Sequence, residues 1–480
     1  MTRDLTRGNP ARVILQFTIP ILLGLLLQQV YNLVDTMIVG KFVGVDALGG
    51  VGSTGSLNFM ILGSCIGLCM GFGIPAANAF GARDLPQLRR YMASAVYLCA
   101  FFAIAIMTVV LSFCGRILSA MHTTAETYPY AFDYIYWIFW GIPFVMLYNT
   151  TAAMIRAVGD SRSPLLFLAL AAALNVALDL LFIPVLGFGV AGAAWATNLS
   201  QGISGLLCLW YMGKKLPMLR FQPGELRFRW NDAAQLLANG VPMALQYFIT
   251  AIGSVTLQSA VNTLGTASVN AMAAGNKLAQ IFSCPFDSLG TAMATYCGQN
   301  VGAHRLQRIR SGLRVAVVFS VVYCLIYLVI AWFLTPTIAL LFLDGSEIEI
   351  IALVRQFLVI VAASSWAVGL INGFRFAIQG MGYSNLAILS GVLEMIGRVA
   401  VASILVPRFG YLGACLGHPT AWLVAICFLL PTAYLCLRRL RRRIPQDAPE
   451  EDIRPEIAAM ADRSIRLHSG EIVELRENSH

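Results

Sequence analysis

Isolated carboxylates within long apolar stretches are the residues of this chain with the clearest potential for chemistry. Asp35 has no basic residue within one helical turn, and Asn175 and Asp179 are four residues apart, on one face of a helix. An ionised side chain near the centre of a bilayer costs roughly 2.5–3.5 kcal/mol, so it requires a partner or a function. A carboxylate beside an amide and a second carboxylate can share a proton or bind a cation such as Na+. Alternatively, a protonated aspartate can hydrogen-bond to a neighbouring helix, and the residues themselves leave both interpretations open.

Further charged residues lie in apolar stretches of the second half. Glu394 and Arg398 are four residues apart, and this spacing predicts an intramembrane ion pair with a structural role, or a role in gating or substrate contact. Asp287 has no residue of opposite charge nearby on its own helix, and Pro285 can bend that helix. We expect Asp287 either to line a substrate cavity and attract cations or to accept a hydrogen bond.

Two prolines lie at equivalent places near the start of the two halves. Pro20 precedes Asp35 in the same apolar stretch, so we predict a hinge at Pro20. For Pro242 we expect a passive kink, because proline kinks are tolerated in spanning helices.

The composition defines the elements that must position these residues. Hydrophobic residues make up 58% of the 480 residues and charged residues 12%, whereas soluble domains carry roughly a quarter charged residues. The apolar runs are long enough to cross roughly 30 Å of hydrocarbon and lack the alternation of barrel strands. We therefore predict an all-α polytopic membrane protein with about twelve spans, at roughly 13–39, 48–80, 91–113, 131–155, 164–184, 190–212, 235–262, 268–300, 314–335, 351–377, 386–406 and 411–437.

The two halves of the chain repeat each other. Four short motifs recur in the same order, at 19–20 and 241–242, 79–85 and 300–306, 156–161 and 379–384, and 184–193 and 407–414. Six spans in each half make the repeats parallel, related by an axis along the membrane normal. We predict an amino-terminal lobe at 1–212, a cytoplasmic linker at 213–234, a carboxy-terminal lobe at 235–443 and a polar cytoplasmic tail at 444–480.

The charge distribution predicts the orientation. The formal net charge is +9, and the basic residues cluster in alternate loops and beside both termini rather than in one patch for nucleic acid. The positive-inside rule therefore places both termini in the cytoplasm of an inner membrane. Most of the eleven cysteines lie in apolar segments without metal-ligand spacing, and GxxxxGK[ST] does not occur in the sequence. We expect no cofactor, no metal beyond possible Na+ and no enzymatic activity.

Several motifs, in order on this frame, resemble the multidrug and toxic compound extrusion (MATE) family. The likeness covers nearly all of 12–439, and the carrying motifs are Gln28–Asp35, Arg156–Asp160, Leu174–Asp179 and Gly298–Ala303. The resemblance implies a MATE-like fold. It also implies a bacterial inner-membrane antiporter, expected to be a monomer, that exports small organic cationic or amphipathic compounds in exchange for protons or Na+. A flippase for lipid-linked sugars, a class with a related fold, is the alternative.

The DinF-like bacterial branch of the family also suggests which residues act. Its ion site lies in the amino-terminal half, and the matching positions here are Asp35, Asn175, Asp179 and Thr197. Similarity further places Tyr134 and Asn149 near that site. Ala152 stands where some members have an asparagine, so the polar lining is not fully matched.

Overall fold

The computed structural model describes residues 4–120, 126–222, 224–340 and 348–443. The predicted tail at 444–480 lies outside these residues. In the described part of the chain every regular element is helical. The first half contains α1 Pro10–Phe42, α2 Val45–Ser53, α3 Gly55–Gly81, α4 Leu85–Ala120, α5 Tyr128–Trp140, α6 Ile142–Ala157, α7 Arg162–Leu180 and α8 Gly189–Lys215. The second half contains α9 Trp230–Val261, α10 Thr266–Gly302, α11 Leu306–Ala339, α12 Ile348–Gly380, α13 Ser384–Ala400, α14 Val406–Phe409, α15 Tyr411–Cys415 and α16 Gly417–Arg443.

The described helices form twelve long segments when α2 and α3, α5 and α6, α13 and α14, and α15 and α16 are each counted as one segment. This number agrees with the expected number of spans. Nine of the described helical segments are each long and apolar enough to cross a membrane, and α5 with α6 makes a tenth span bent by 46°. The other two long helices, α8 and α10, fall outside that set, since they carry many Gly, Ser, Thr and Asn residues. The chain is therefore a multi-pass membrane protein.

Several predicted spans are interrupted. The span predicted at 48–80 is wrong at its start, because α2 ends at Ser53 and α3 begins only at Gly55. The span at 411–437 likewise breaks between α15 and α16. In contrast, α7 continues into a π-helical turn at Leu181–Val185, and α13 continues into one at Val401–Leu405.

Buried apolar residues of the described chain form two main clusters. One runs from Ile38 to Leu236 and the other from Leu257 to Leu440, with a smaller cluster between them. The start of α1 is an exception, because Ile14 and Phe17 pack in the second cluster. The start of α9 correspondingly packs in the first cluster through Leu236. The beginning of the first helix of each half thus packs in the apolar cluster of the other half. The exact lobe boundaries stay a prediction.

Glycines let helices from the two halves touch through their backbones. Along α3, a Cβ at Gly71 would lie 2.4 Å from the Cα of Gly240 on α9. Where α3 and α10 end, a Cβ at Gly81 would lie 2.0 Å from the Gln299 carbonyl oxygen. In return, a Cβ at Gly302 would lie 1.9 Å from a backbone oxygen of α3. Such contacts exclude any side chain and hold the two halves closed against each other at this end.

The same end carries most of the basic loops, and we call it the basic end. There Asp4–Gly8, which we call the N-terminal strap, docks beside the α10–α11 junction. Leu5 is 1% exposed, and its backbone N–H donates to Gln299 Oε1 at 3.0 Å. Arg305 and Arg308 donate to the carbonyl oxygens of Thr6 and Gly8 at 2.5 and 2.7 Å.

The segment between the two halves docks in a similar way on α4. Arg89 Nε and Glu225 Oε2 are 2.7 Å apart, and this hydrogen bond holds the pKa of the Glu225 carboxyl below its ordinary value. Gln87 donates to Asp232 at 2.8 Å. Both segments that precede a first helix are therefore fixed at the basic end by charged hydrogen bonds.

Candidate functional site

A cluster of buried oxygen atoms lies among α1, α5, α7 and α8. Asp35 on α1 is 7% exposed, and Asp179 in the last turn of α7 is 0% exposed. Their carboxylates are near enough for their charges to interact. Tyr134 on α5 is buried and within electrostatic range of both. The structure thus brings together four helices that are distant in sequence.

The acceptor atoms of this cluster have few donors. Asn175 donates its Nδ2 to Thr197 Oγ1 at 3.4 Å. Both carboxylate oxygens of Asp179, one of Asp35 and the amide oxygen of Asn175 are buried and accept no hydrogen bond from any described residue. Burying unpaired acceptors is costly, so this site favours a bound proton or a small cation held by oxygen ligands. The π-helical turn that follows Asp179 is a distortion frequently found at functional sites.

Asn149 is not brought into this cluster by any contact of the described chain. It lies on α6 and donates its Nδ2 to the Val145 carbonyl oxygen of its own helix at 2.8 Å. Two residues that the sequence reasoning did not single out lie nearer. Tyr31 precedes Asp35 by one helical turn, and Gln201 on α8 donates to the Tyr31 hydroxyl at 3.4 Å. The four-residue spacing of Tyr31 from Asp35 was the available signal.

Pro20 lies buried on α1, fifteen residues before Asp35. The proline ring removes one backbone hydrogen bond of the helix, yet α1 is one continuous helix through this residue. The helix therefore contains a weakened turn between the basic end and the oxygen cluster.

A charged network occupies the second half. Glu394 lies between two arginines, with Arg375 Nη1 at 2.7 Å and Arg398 Nη2 at 3.4 Å. The predicted ion pair of Glu394 and Arg398 is present, and Glu394 makes a second, shorter contact with Arg375 on α12. Sequence spacing detects partners on one helix and could not detect a partner on another helix.

Asp287 belongs to the same network. Asn372 donates its Nδ2 to Asp287 Oδ1 at 2.7 Å and accepts from Arg375 Nη2 at 2.8 Å. Arg398 also donates to the Thr250 carbonyl oxygen at 3.1 Å. Asp287 is exposed although it lies on α10 in the middle of the bundle. It therefore combines the two expectations, as a hydrogen-bond acceptor that also faces open space.

Two related halves of six long segments, each with buried charges at its centre, define a multi-pass membrane transporter built on parallel repeats. The MatE family model matches residues 20–181 and 242–404, one segment in each half. The chain belongs to this family of multidrug efflux transporters.

Similar proteins include two from Bacillus subtilis. The probable multidrug resistance protein YpnP is 31% identical over 306 residues, which cover 64% of this chain and 68% of that protein. The probable multidrug resistance protein YoeA is 26% identical over 442 residues, which cover 89% and 94%. Among solved structures, a MATE protein in complex with MaL6 superposes with a TM-score of 0.86 at 22% identity, covering 92% of this chain and all of that one.

Proposed function

We propose that this protein is a secondary antiporter that exports small organic compounds in exchange for protons or Na+. The observation that supports this proposal is the set of buried acceptor oxygens on Asp35, Asn175 and Asp179 that no described donor satisfies. A site that only linked helices would pair these oxygens with donors. Because these oxygens have no donor, the site is strongly stabilised when it binds a proton or a cation. Coupling to an ion gradient requires such binding.

Coupling would follow from the charge of this cluster. When the carboxylates bind a proton or Na+, the buried negative charge is neutralised and α1 can pack more closely on α7 and α8. The weakened turn at Pro20 lets α1 bend as it does so. Bending reduces the space in the amino-terminal half and lowers its affinity for substrate, and this difference in affinity drives the exchange.

The substrate would bind between the halves, where Asp287 faces open space. An exposed carboxylate that keeps one oxygen beyond its bond to Asn372 suits an organic cation or an amphipathic molecule with a positive end. The network does not favour the flippase alternative, because the charges of Arg375 and Arg398 are balanced by Glu394 and by Asp287, which is linked to Arg375 through Asn372. No net positive charge is left for a pyrophosphate group.

The proposed location is the inner membrane of a bacterium, with both termini in the cytoplasm and the chain acting as a monomer. The basic end would then be the cytoplasmic end. Single cysteines at Lys214 and Arg408 test this orientation in intact cells. An impermeant maleimide should label the cysteine at 408 and not the one at 214, and the reverse pattern would show that the orientation is inverted.

The function itself is tested in proteoliposomes with an imposed pH or Na+ gradient and a panel of dye substrates. The wild type should move dye against its gradient, and Asp35→Asn should remove gradient-driven movement while leaving expression and folding near normal. Asp46→Asn is the matched control, because Asp46 is an exposed aspartate on α2. Full activity of purified Asp35→Asn would contradict the assignment of the ion site.

A further inference from the structure

A basic groove lies on the outer surface of the second half, between α11 and α16 at the basic end. Its volume is about 530 Å³, and four arginines and three apolar or aromatic side chains line it: Arg310, Arg314, Arg438, Arg441, Leu313, Tyr434 and Leu437. The arginines come from the first turns of α11 and the last turns of α16. Two helix ends from different parts of the sequence thus form one positively charged site.

The positive charge of the groove is uncompensated. All four arginines are exposed, and none of them forms an ion pair with another residue of the described chain. Like charges held close together repel and favour a bound anion. The guanidinium fork matches phosphate oxygens well.

The surface that leads away from the groove is apolar. Val318 and Val322 follow Arg314 at intervals of four residues on α11, and both are exposed. On α16, Tyr434 and Leu430 precede Arg438 at the same interval and are 66% and 42% exposed. Both stripes run along the outer surface from the arginines towards the mid-height of the helices. Acyl chains of a lipid would lie against them there. A free phosphate would use the arginines but would gain nothing from these stripes.

We propose that this groove is a binding site for an anionic phospholipid, with the phosphate held by the arginines and the acyl chains on the two stripes. Four arginines favour a lipid with two phosphates, such as cardiolipin, over one with a single phosphate. Basic pockets between spanning helices on the cytoplasmic side are suited to such head groups. The site lies apart from the oxygen cluster of the first half and does not depend on ion coupling.

The experiment is native mass spectrometry of the full chain in detergent, titrated with cardiolipin or with phosphatidylethanolamine. Arg438→Gln/Arg441→Gln removes two groove charges, and Arg439→Gln/Arg442→Gln removes two charges from the same helix end outside the groove. Each basic residue near an anionic head group strengthens binding about fivefold. The groove variant should therefore weaken cardiolipin binding about 25-fold, and the control variant less than about threefold.

Four results would overturn the proposal. Equal weakening in both double variants would mean that only the general surface charge attracts the lipid. Equal binding of cardiolipin and phosphatidylethanolamine, or displacement of cardiolipin by millimolar inorganic phosphate, would mean that the groove does not recognise an anionic lipid. If cardiolipin binds only after the acidic residues of 444–480 are changed to amides, the tail rather than a lipid occupies the groove.

Discussion

Substitution of Gly81 by alanine should open the basic end. The new Cβ would lie 2.0 Å from the Gln299 carbonyl oxygen, whereas real Cβ contacts stay beyond 3.0 Å, so α3 and α10 must separate by at least about 1 Å. Both groups are backbone, and no side chain can rotate away. Overpacking of this kind costs about 1–3 kcal/mol. A state in which the two halves have parted at this end avoids that cost, so the ratio of open to closed protein should rise about 5- to 150-fold.

The assay is double electron–electron resonance between spin labels at Lys215 and Arg442, the ends of the last helix in each half. Gly81→Ala should add a longer distance to the distribution, and Gly302→Ala should do the same because its Cβ would also meet backbone, at 1.9 Å. Gly55→Ala on the same helix is the control, since nothing lies within 4 Å of a Cβ there. Unchanged distances in both crossing variants would refute the reasoning that this contact closes the basic end.

Three further predictions concern the buried charges and the weakened turn. Asp179→Asn should bind a fluorescent substrate within about threefold of the wild-type affinity yet lose gradient-driven efflux, and retained efflux would exclude this residue from coupling. Pro20→Ala should slow efflux without removing proton or Na+ binding, measured as ion-induced tryptophan fluorescence on the same preparation; unimpaired efflux would remove bending at Pro20 from the cycle. Glu394→Gln should destabilise the protein by about 3–5 kcal/mol, because it leaves buried arginines uncompensated. Adding Arg398→Gln should restore part of the melting temperature, and a lack of any recovery would contradict that explanation.

The architecture was predictable because a bilayer leaves few choices. A spanning segment must pair its backbone N–H and C=O groups within itself, so long apolar runs form helices. Their number can therefore be counted from the sequence. Interruptions were harder to predict. The break at Thr54 lies in the Gly- and Ser-rich stretch 49–56, which carries a turn signal that the predicted span ran through. The bend at Gly141 lies among aromatic and apolar residues, and a Cβ there would lie 1.7 Å from Asn198 Oδ1 on another helix.

Sequence spacing could predict which site residues share one face of a single helix, but not which residues of different helices meet. The four-residue spacing identified Asn175 with Asp179 and Glu394 with Arg398. Arg375 was missed because it reaches Glu394 from a different helix, and no periodicity within one helix records such a contact. That Asp35 lies near Asp179 came from the family resemblance, and the structure places the two carboxylates within electrostatic range.

The N-terminal strap has a consequence for biosynthesis. Leu5 and Gly8 leave the ribosome long before their hydrogen-bond partners, which lie 294 to 303 residues later in the chain. At 5–20 residues per second the strap waits roughly 15–60 s for its docking site to be made. During that interval Leu5, which is buried in the finished protein, is an accessible apolar side chain at the membrane surface. Docking of the strap can therefore occur only after α10 and α11 have been inserted. Protection of the strap from proteolysis is thus a direct readout of completed assembly.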